Sequence, residues 1–142
     1  MSGISLQSLL TPEKVVTVDY PGYEGFKLTI AFLSREEVVK IRKRCYTTTF
    51  DKRSRQPVEK FDDEMFLKLY ITAVIKGWTG LKFKYLEDFI LVDLSTVKDV
   101  DAELEFNADN ALLLMKNSSE LDGFVTDITS DLTNFTKYSS AS

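Results

Sequence analysis

Residues 61–80 read FDDEMFLKLYITAVIKGWTG, and this stretch decides the fold. Wound as an α-helix, its apolar side chains cover nearly the whole circumference and leave only one polar stripe. Asp62 is suited to cap the start of the helix, and Gly77 and Gly80 mark its end around Trp78. A helix that is apolar on nearly every side must be surrounded by protein. We therefore expect residues 61–80 to form the central helix of the core.

Two stretches before this helix have the alternating pattern of β-strands. Residues 15–18 are Val-Val-Thr-Val, and residues 26–33 alternate strongly apolar side chains with others. Pro21 and Gly22 between them fit a tight turn. The sequence therefore predicts a β-hairpin over residues 15–33. Because a lone hairpin is marginal in water, its apolar face should lie on helices.

Further helices are predicted by capping residues that precede apolar side chains at three- and four-residue spacing. They should begin at Ser34, at Asn107 and at Ser118 or Ser119, the last one running through Phe135. A shorter helix is expected over residues 85–94.

The segment between the Ser34 helix and the central helix has a different character. The Ser34 helix should run to about Thr47, where β-branched residues weaken it. Residues 50–60 contain Pro57 and several charges, so we expect a mobile loop there.

These elements together predict one α+β domain that is mainly α-helical, with an N-terminal β-hairpin packed on a bundle of about four to five helices. The domain should span residues 15–137, with the hairpin in residues 15–33 and the helical part in residues 34–137. Residues 1–14 are expected to form a flexible N-terminal arm, and residues 138–142 a disordered tail.

Charge is unevenly distributed along a chain whose net charge is −4. Residues 40–60 contain eight Lys or Arg and two carboxylates, whereas residues 61–142 contain seven basic and fifteen acidic side chains. A basic patch beside an acidic body can guide self-association or attract a charged partner, and the alternative is an ordinary solvated face. We predict a self-association surface on a basic face that consists of Lys40, Lys43, Arg44, Arg53 and Arg55.

Several kinds of chemistry are missing from the sequence. There is no histidine, the commonest general base and metal ligand, and Cys45 falls on the apolar side of its predicted helix. No glycine-rich phosphate loop occurs, and the acidic residues 99–105 lack the spacing of an EF-hand. We therefore expect no enzymatic activity, no cofactor and no metal.

Targeting signals are missing as well. The N-terminal residues lack the basic and apolar regions of a secretory signal, and no apolar stretch is long enough to span a membrane. The expectation is a cytoplasmic, soluble protein without a membrane partner.

Three pieces of sequence follow one another in the second half of the chain. They are VIKGWTG at residues 74–80, EFNADNA at residues 105–111, and an amphipathic run from Glu120-Leu121 through Phe124, Ile128, Leu132 and Phe135. Their order and spacing resemble those of the tail assembly chaperones of long-tailed (siphovirus-type) bacteriophages. In that family a Trp-x-Gly closes a helix, and a Phe/Tyr-Ser/Asn-x-Glu/Asp-Asn box opens a later one.

The similarity covers roughly residues 61–137 and includes one departure. Many members of the family place an Asp-Gly turn between the Trp and the Asn box, whereas residues 81–106 contain no glycine.

The resemblance implies a non-enzymatic protein of the host cell cytoplasm that binds the long, largely helical tape measure protein and keeps it soluble. It further implies that the protein helps to recruit tail tube protein during tail morphogenesis and is absent from the mature virion. Apolar grooves could shield the apolar stripes of such a client. We predict that partner binding uses residues near element ends, with core packing as the alternative role of each: Trp78, Phe83, Tyr85, Phe89 and Ile90.

Two other functions are compatible with the sequence. One is a structural virion component, such as a small tail or connector protein. The other is a nucleic-acid-associated regulator, because the basic segment 40–60 carries Tyr46 and Phe50 among its charges. The acidic net charge and the lack of a nucleic-acid motif argue against the regulator, so a nucleic-acid partner is not expected.

Overall fold

The structure is a computed structural model that describes residues 3–135. Its elements are, in chain order, α1 (Leu6–Leu9), β1 (Glu13–Asp19), β2 (Lys27–Leu33), α2 (Arg35–Lys43), β3 (Tyr46–Phe50), β4 (Pro57–Phe61), α3 (Asp63–Val74), β5 (Ile75–Thr79), α4 (Phe83–Leu86), α5 (Ala108–Asn117), α6 (Ser119–Thr129) and a 3-10 helix (Leu132–Phe135). The predicted tail, residues 138–142, and the last two residues of the predicted domain lie outside the described residues.

The core is built around a three-stranded antiparallel sheet in the order β1-β2-β5. β1 and β2 pair from Glu13 opposite Leu33 to Asp19 opposite Lys27. The central strand, β2, lies against α3 and α6, and these helices cover one face of the sheet. Burial of this apolar sheet face against helices stabilises the domain.

The expected architecture, a hairpin packed on a helix bundle, is wrong. The class is α+β, but the described chain contains six α-helices together with two small antiparallel sheets. The two strands predicted in residues 15–33 do pair, and β5 then extends them into a larger sheet. A second sheet of β3 and β4 occupies residues that were expected to be helix end and loop.

The central helix is shorter than predicted, because α3 ends at Val74 and passes directly into β5. Its predicted start is correct: the Asp62 carboxylate accepts a hydrogen bond of 3.0 Å from the backbone N–H of Met65. The sequence after Val74 is poor for a helix, since Ile75 is β-branched and Gly77 has high conformational freedom. Pairing with β2 gives these backbone groups partners, so tertiary structure decides in favour of a strand.

β5 contains a bulge where it pairs with β2. Thr29 faces Gly77, whereas its neighbour Ile30 faces Ile75, which leaves Lys76 as the extra residue. The side chain of Lys76 reaches across the sheet to the carboxylate of Glu13 at 3.2 Å.

The segment between α2 and α3 differs most from expectation. α2 ends at Lys43, before Thr47, and the predicted mobile loop instead contributes β4 to a hairpin with β3. The three consecutive threonines of β3 explain the change, because β-branched side chains favour strands over helices.

Of the predictions for the helices after β5, two are correct and two are wrong. Asn107 caps α5 by accepting a hydrogen bond of 2.8 Å from the N–H of Asn110, as expected. Ser118, only 1% exposed, caps α6, but α6 ends at Thr129 and does not run through Phe135. The helix expected over residues 85–94 is limited to the single turn of α4.

The glycine-free connection between α4 and α5 is held by backbone hydrogen bonds. The N–H of Leu104 donates to the carbonyl of Leu81 at 2.8 Å, and the N–H of Phe83 donates to the carbonyl of Ala102 at 3.0 Å. These bonds align residues 102–104 with residues 81–83, so this connection reverses the chain direction without an Asp-Gly turn. It also fixes the start of α5 beside the end of β5.

Candidate partner-binding surfaces

Trp78 links the sheet to the segment that precedes α5. It lies on β5 opposite Leu28, and its indole Nε1–H donates a hydrogen bond of 2.9 Å to the carbonyl oxygen of Leu104. Its ring meets the ring of Phe106 edge to face, with centroids 4.8 Å apart. Only 9% of Trp78 is exposed, so its contacts within the chain leave little of it free to meet a partner.

Gly80, two residues further on, permits a close approach of three chain segments. Its backbone has a φ of 72°, a region that favours glycine. Its N–H donates to the carboxylate of Glu103, and a Cβ at this position would overlap the backbone of Gly25. Glycine at the end of the Trp-x-Gly piece is therefore required by both conformation and space.

The two sequence pieces around Trp78 and Asn107 form one continuous structural unit. The Trp78 hydrogen bond spans 26 positions of the chain, and Phe106 lies between Trp78 and the Asn107 cap. The side-chain amide of Asn110 donates a further bond of 2.9 Å to the carbonyl of Glu105. The residues that carry the resemblance thus pack against one another.

An aromatic cluster joins α4 and the turn after it to the β1–β2 turn. The hydroxyl of Tyr85 donates to the carbonyl oxygen of Glu24 at 3.0 Å, and its ring packs edge to face on Tyr23 at 5.1 Å. Phe89 lies 4.9 Å from Tyr23 and 5.3 Å from Tyr20, measured between ring centroids. Residues far apart in sequence are locked together here by ring packing.

The five residues predicted to bind a partner all pack in or against the core, and none is fully exposed. Trp78 and Phe89 are buried, and Phe83, Tyr85 and Ile90 are half-buried. Three apolar residues in or near this region are exposed: Leu91, which is fully exposed, Val92, and Val100, whose carbonyl accepts a hydrogen bond from the N–H of Lys84. Sequence reasoning missed them. The signal for Leu91 and Val92 was the continuous apolar run FILV, which is more than one face of a short helix can bury.

The predicted basic face is divided between two elements. Lys40, Lys43 and Arg44 lie at the end of α2, whereas Arg53 and Arg55 lie at the tip of the β3–β4 hairpin, and all five are exposed. Strands of five residues separate the two groups by roughly 17 Å. The structure therefore presents two basic clusters where the sequence predicted one face.

The hairpin itself is a projecting element, and we call β3, β4 and the connecting residues 51–56 the basic arm. Every strand residue in it is exposed except Phe61, which is half-buried. At the tip, the Asp51 carboxylate accepts hydrogen bonds from the N–H of Arg53 at 2.9 Å and the hydroxyl of Ser54 at 3.0 Å. These bonds lower the pKa of Asp51, the backbone bond from Arg53 contributing most.

A row of aromatic side chains connects the base of the basic arm to α3. Tyr46 packs on Phe61 at 5.1 Å, Phe61 on Phe66 at 5.7 Å, and Phe66 on Tyr70 at 5.6 Å between ring centroids. The guanidinium of Arg42 lies 5.0 Å from the centroid of Phe66. This cation–π contact and the ring contacts attach the arm to the domain.

Two tyrosines of the aromatic cluster have perturbed ionisation. Burial, followed by the negative charge of Glu120, raises the pKa of Tyr20 to about 12. The pKa of Tyr23 is also raised, by desolvation first and then by its hydrogen bond of 3.1 Å to Asp88. Both phenols are therefore neutral at physiological pH and act as hydrogen-bonding and packing groups.

No group of three or more potential metal ligands occurs among residues 3–135. The described helices include none with the length and apolar character needed to cross a membrane. The void in the core beside Trp78 measures only about 10 Å³, too little for an organic ligand.

Comparisons of the chain with protein-family models, with curated proteins and with solved structures find no match.

Proposed function

We propose that the protein is a tail assembly chaperone that binds a tape measure protein, keeps this client soluble and helps to recruit tail tube protein during phage tail morphogenesis. It acts in the host cell cytoplasm and is absent from the mature virion. The proposal begins from the resemblance carried by the VIKGWTG and EFNADNA pieces.

One observation supports the proposal most. The hydrogen bond from Trp78 to Leu104 and the contact of Trp78 with Phe106 join the two pieces in space. In the sequence, each piece alone is an ordinary helix-end signal, and such signals need not meet. In the structure, Trp78 lies in β5 and α3 ends at Val74, so the first piece closes a strand. Pieces that recur together in a family are expected to contact each other, and the contacts of Trp78 with Leu104 and Phe106 support the proposal in this sense.

The surface that we assign to the client includes the exposed residues Leu91 and Val92, which directly follow Phe89 and Ile90. A chaperone that holds an apolar client must offer apolar surface to it, and Leu91 is fully exposed. Glu87, Asp88 and Asp93 flank these residues and are exposed. Such charges keep the free protein dispersed and make the interaction reversible. Behind this surface, Phe89 and Ile90 supply rigid support.

The proposed role is non-enzymatic. The sequence has no histidine, the commonest general base in enzymes. A binding role requires neither a general base nor a bound metal.

The test is co-expression of the protein with a tape measure protein, scored by whether this client stays soluble and co-purifies. We expect the natural protein to retain the client and Leu91→Glu to lose it, with an unchanged melting temperature. Leu113→Glu is the matched control, because Leu113 is also exposed, at 57%, but lies on α5.

Two outcomes would overturn the proposal. In one, the tape measure protein precipitates equally with and without this protein. In the other, mass spectrometry of purified particles finds the protein in stoichiometric amounts, which identifies a structural virion component.

A further inference from the structure

We propose that the outer edge of β3 in the basic arm binds an extended, acidic polypeptide segment of another protein, which joins the β3–β4 sheet as a third strand. The inference does not rest on the proposed function, because it concerns the β3–β4 hairpin and uses none of the residues around Leu91. Four features of the arm support it: the hydrogen-bond register between β3 and β4, the open outer edge of β3, two exposed aromatic side chains, and exposed basic side chains.

The register of the hairpin leaves one set of backbone groups on β3 directed outward. One backbone hydrogen bond lies just beyond each end of the β3–β4 ladder. The N–H of Asp51 donates to the carbonyl oxygen of Gln56 at 3.0 Å, and the N–H of Asp62 donates to the carbonyl oxygen of Cys45 at 2.7 Å. In an antiparallel pair, bonded and non-bonded positions alternate. Counting inward from both ends, Thr47 and Thr49 are the bonded positions of β3.

The non-bonded positions of β3 are therefore Tyr46, Thr48 and Phe50, whose N–H and C=O groups point away from β4. Phe50 faces Pro57, which has no N–H to donate and is tolerated at such a position. Among the described helices and strands, β3 makes extensive contacts with β4 alone. Its outer edge is consequently open to another strand.

Side chains on the arm add recognition to this backbone edge. Tyr46 and Phe50 project from the same face of β3, and they are 51% and 65% exposed. An added strand would place alternate side chains against these two rings. Cross-strand contacts between aromatic and aliphatic side chains stabilise antiparallel pairs.

The charge of the arm selects the partner. Lys52, Arg53 and Arg55 at the tip and Lys60 on β4 are all exposed. Within residues 3–135, the recorded ion pairs involve other lysines and none of these four. The arm has two carboxylates: Asp51 is engaged in hydrogen bonds inside the tip, and Glu59 on β4 is exposed, so the four cations remain in excess. An acidic segment is therefore the complement of this surface, and charge will speed its association.

Two other occupants fit less well. If β3 paired antiparallel with β3 of a second copy, the Arg44 end of one copy would lie near the Lys52 end of the other, and like charges repel. A nucleic-acid backbone offers phosphate oxygens that accept hydrogen bonds, so it would leave the outward C=O groups of Tyr46, Thr48 and Phe50 without donors. A polypeptide strand satisfies both the donors and the acceptors.

The experiment uses the full chain, isotopically labelled, and a peptide of alternating Val and Glu of about eight residues, long enough to cover β3. Amide hydrogen exchange is followed by NMR. We expect the peptide to slow exchange at Thr48 at least about tenfold, because its N–H gains a partner. Exchange at Thr47 and Thr49, which are already bonded within the ladder, should change much less. A peptide of alternating Val and Lys should have no effect.

Two variants make the test specific. Thr48→Pro removes the outward N–H without removing a ladder bond, and it should reduce affinity for the Val-Glu peptide at least about tenfold. Thr48→Val keeps the N–H and the strand preference, so it should bind within about twofold of the natural protein. The exchange rates of Thr47 and Thr49 report whether the arm stays folded in each variant.

Each of four results would overturn the inference. The Val-Glu peptide does not bind, or it binds without slowing exchange at Thr48. Thr48 becomes protected when the protein alone is concentrated, which makes a second copy the occupant. Finally, a single-stranded oligonucleotide protects Thr48 better than the peptide does.

Discussion

The indole N–H of Trp78 and the carbonyl oxygen of Leu104 lie 2.9 Å apart, and this hydrogen bond fastens the last strand of the main sheet to the segment that opens α5. Trp78→Phe keeps an aromatic ring but leaves that carbonyl without its donor. We expect it to lower the free energy of unfolding by about 1–2 kcal/mol, and Trp78→Ala by about 3–5 kcal/mol. Urea denaturation measures both values. Leu91→Ala is the control and should change stability by less than about 0.5 kcal/mol.

This series also separates the two roles of Trp78 considered from the sequence. A core residue loses stability on truncation. If Trp78→Ala kept its stability and lost only client binding, Trp78 would instead be an interface residue.

Glycine at position 80 should be irreplaceable. A Cβ there would overlap the backbone oxygen of Gly25, and the φ of 72° is strained for other residues. We expect Gly80→Ala to destabilise the protein by about 3 kcal/mol or more, since neither backbone segment can move cheaply. Gly123→Ala is the matched control, because Gly123 lies inside α6 with open space around it. It should raise stability by up to about 1 kcal/mol in the same denaturation assay.

Tyr20 should weaken the protein at high pH. Its pKa is about 12 in the folded state, because burial and the charge of Glu120 disfavour the phenolate, and about 10 when unfolded. Because the pKa of Tyr20 is higher in the folded state, the contribution of neutral Tyr20 to the stability of the folded protein is fully present below about pH 10. This contribution is lost as the pH rises toward about 12. The loss should be on the order of 1–2 kcal/mol.

The variant Tyr20→Phe provides the comparison for this pH effect. It retains Tyr23, so its own decline between these pH values should be shallower than that of the natural protein. Parallel declines in chemical denaturation experiments would show that Tyr20 does not carry the effect.

Self-association through the basic face predicted from sequence should depend on salt. If Lys40, Lys43 and Arg44, with the arginines of the arm, meet the acidic body of another copy, raising salt from about 50 mM to about 500 mM should dissociate the oligomer. Analytical ultracentrifugation measures this directly. An oligomer that is indifferent to salt would be held by apolar contacts. A protein that is monomeric at both salt concentrations would contradict the prediction that the basic face is a self-association surface.

Where local chemistry decides the conformation, the sequence was sufficient. Asp62 and Asn107 cap their helices as predicted, because a carboxylate or amide oxygen can satisfy free N–H groups only a few residues away. The strands in residues 15–33 pair because their alternation and turn residues are adjacent in the chain.

Tertiary structure decided what depended on distant partners. Residues 75–79 continue the apolar pattern of α3, yet they form β5 because β2, far back in the chain, offers them an open edge. The threonines of β3 find their partner beyond a charged turn. Likewise, Phe89 is buried because Tyr20 and Tyr23 of the β1–β2 turn pack against its ring, whereas Leu91, two residues later, is exposed. Sequence periodicity records how much apolar surface must be buried, but only the assembled fold determines which residues bury it.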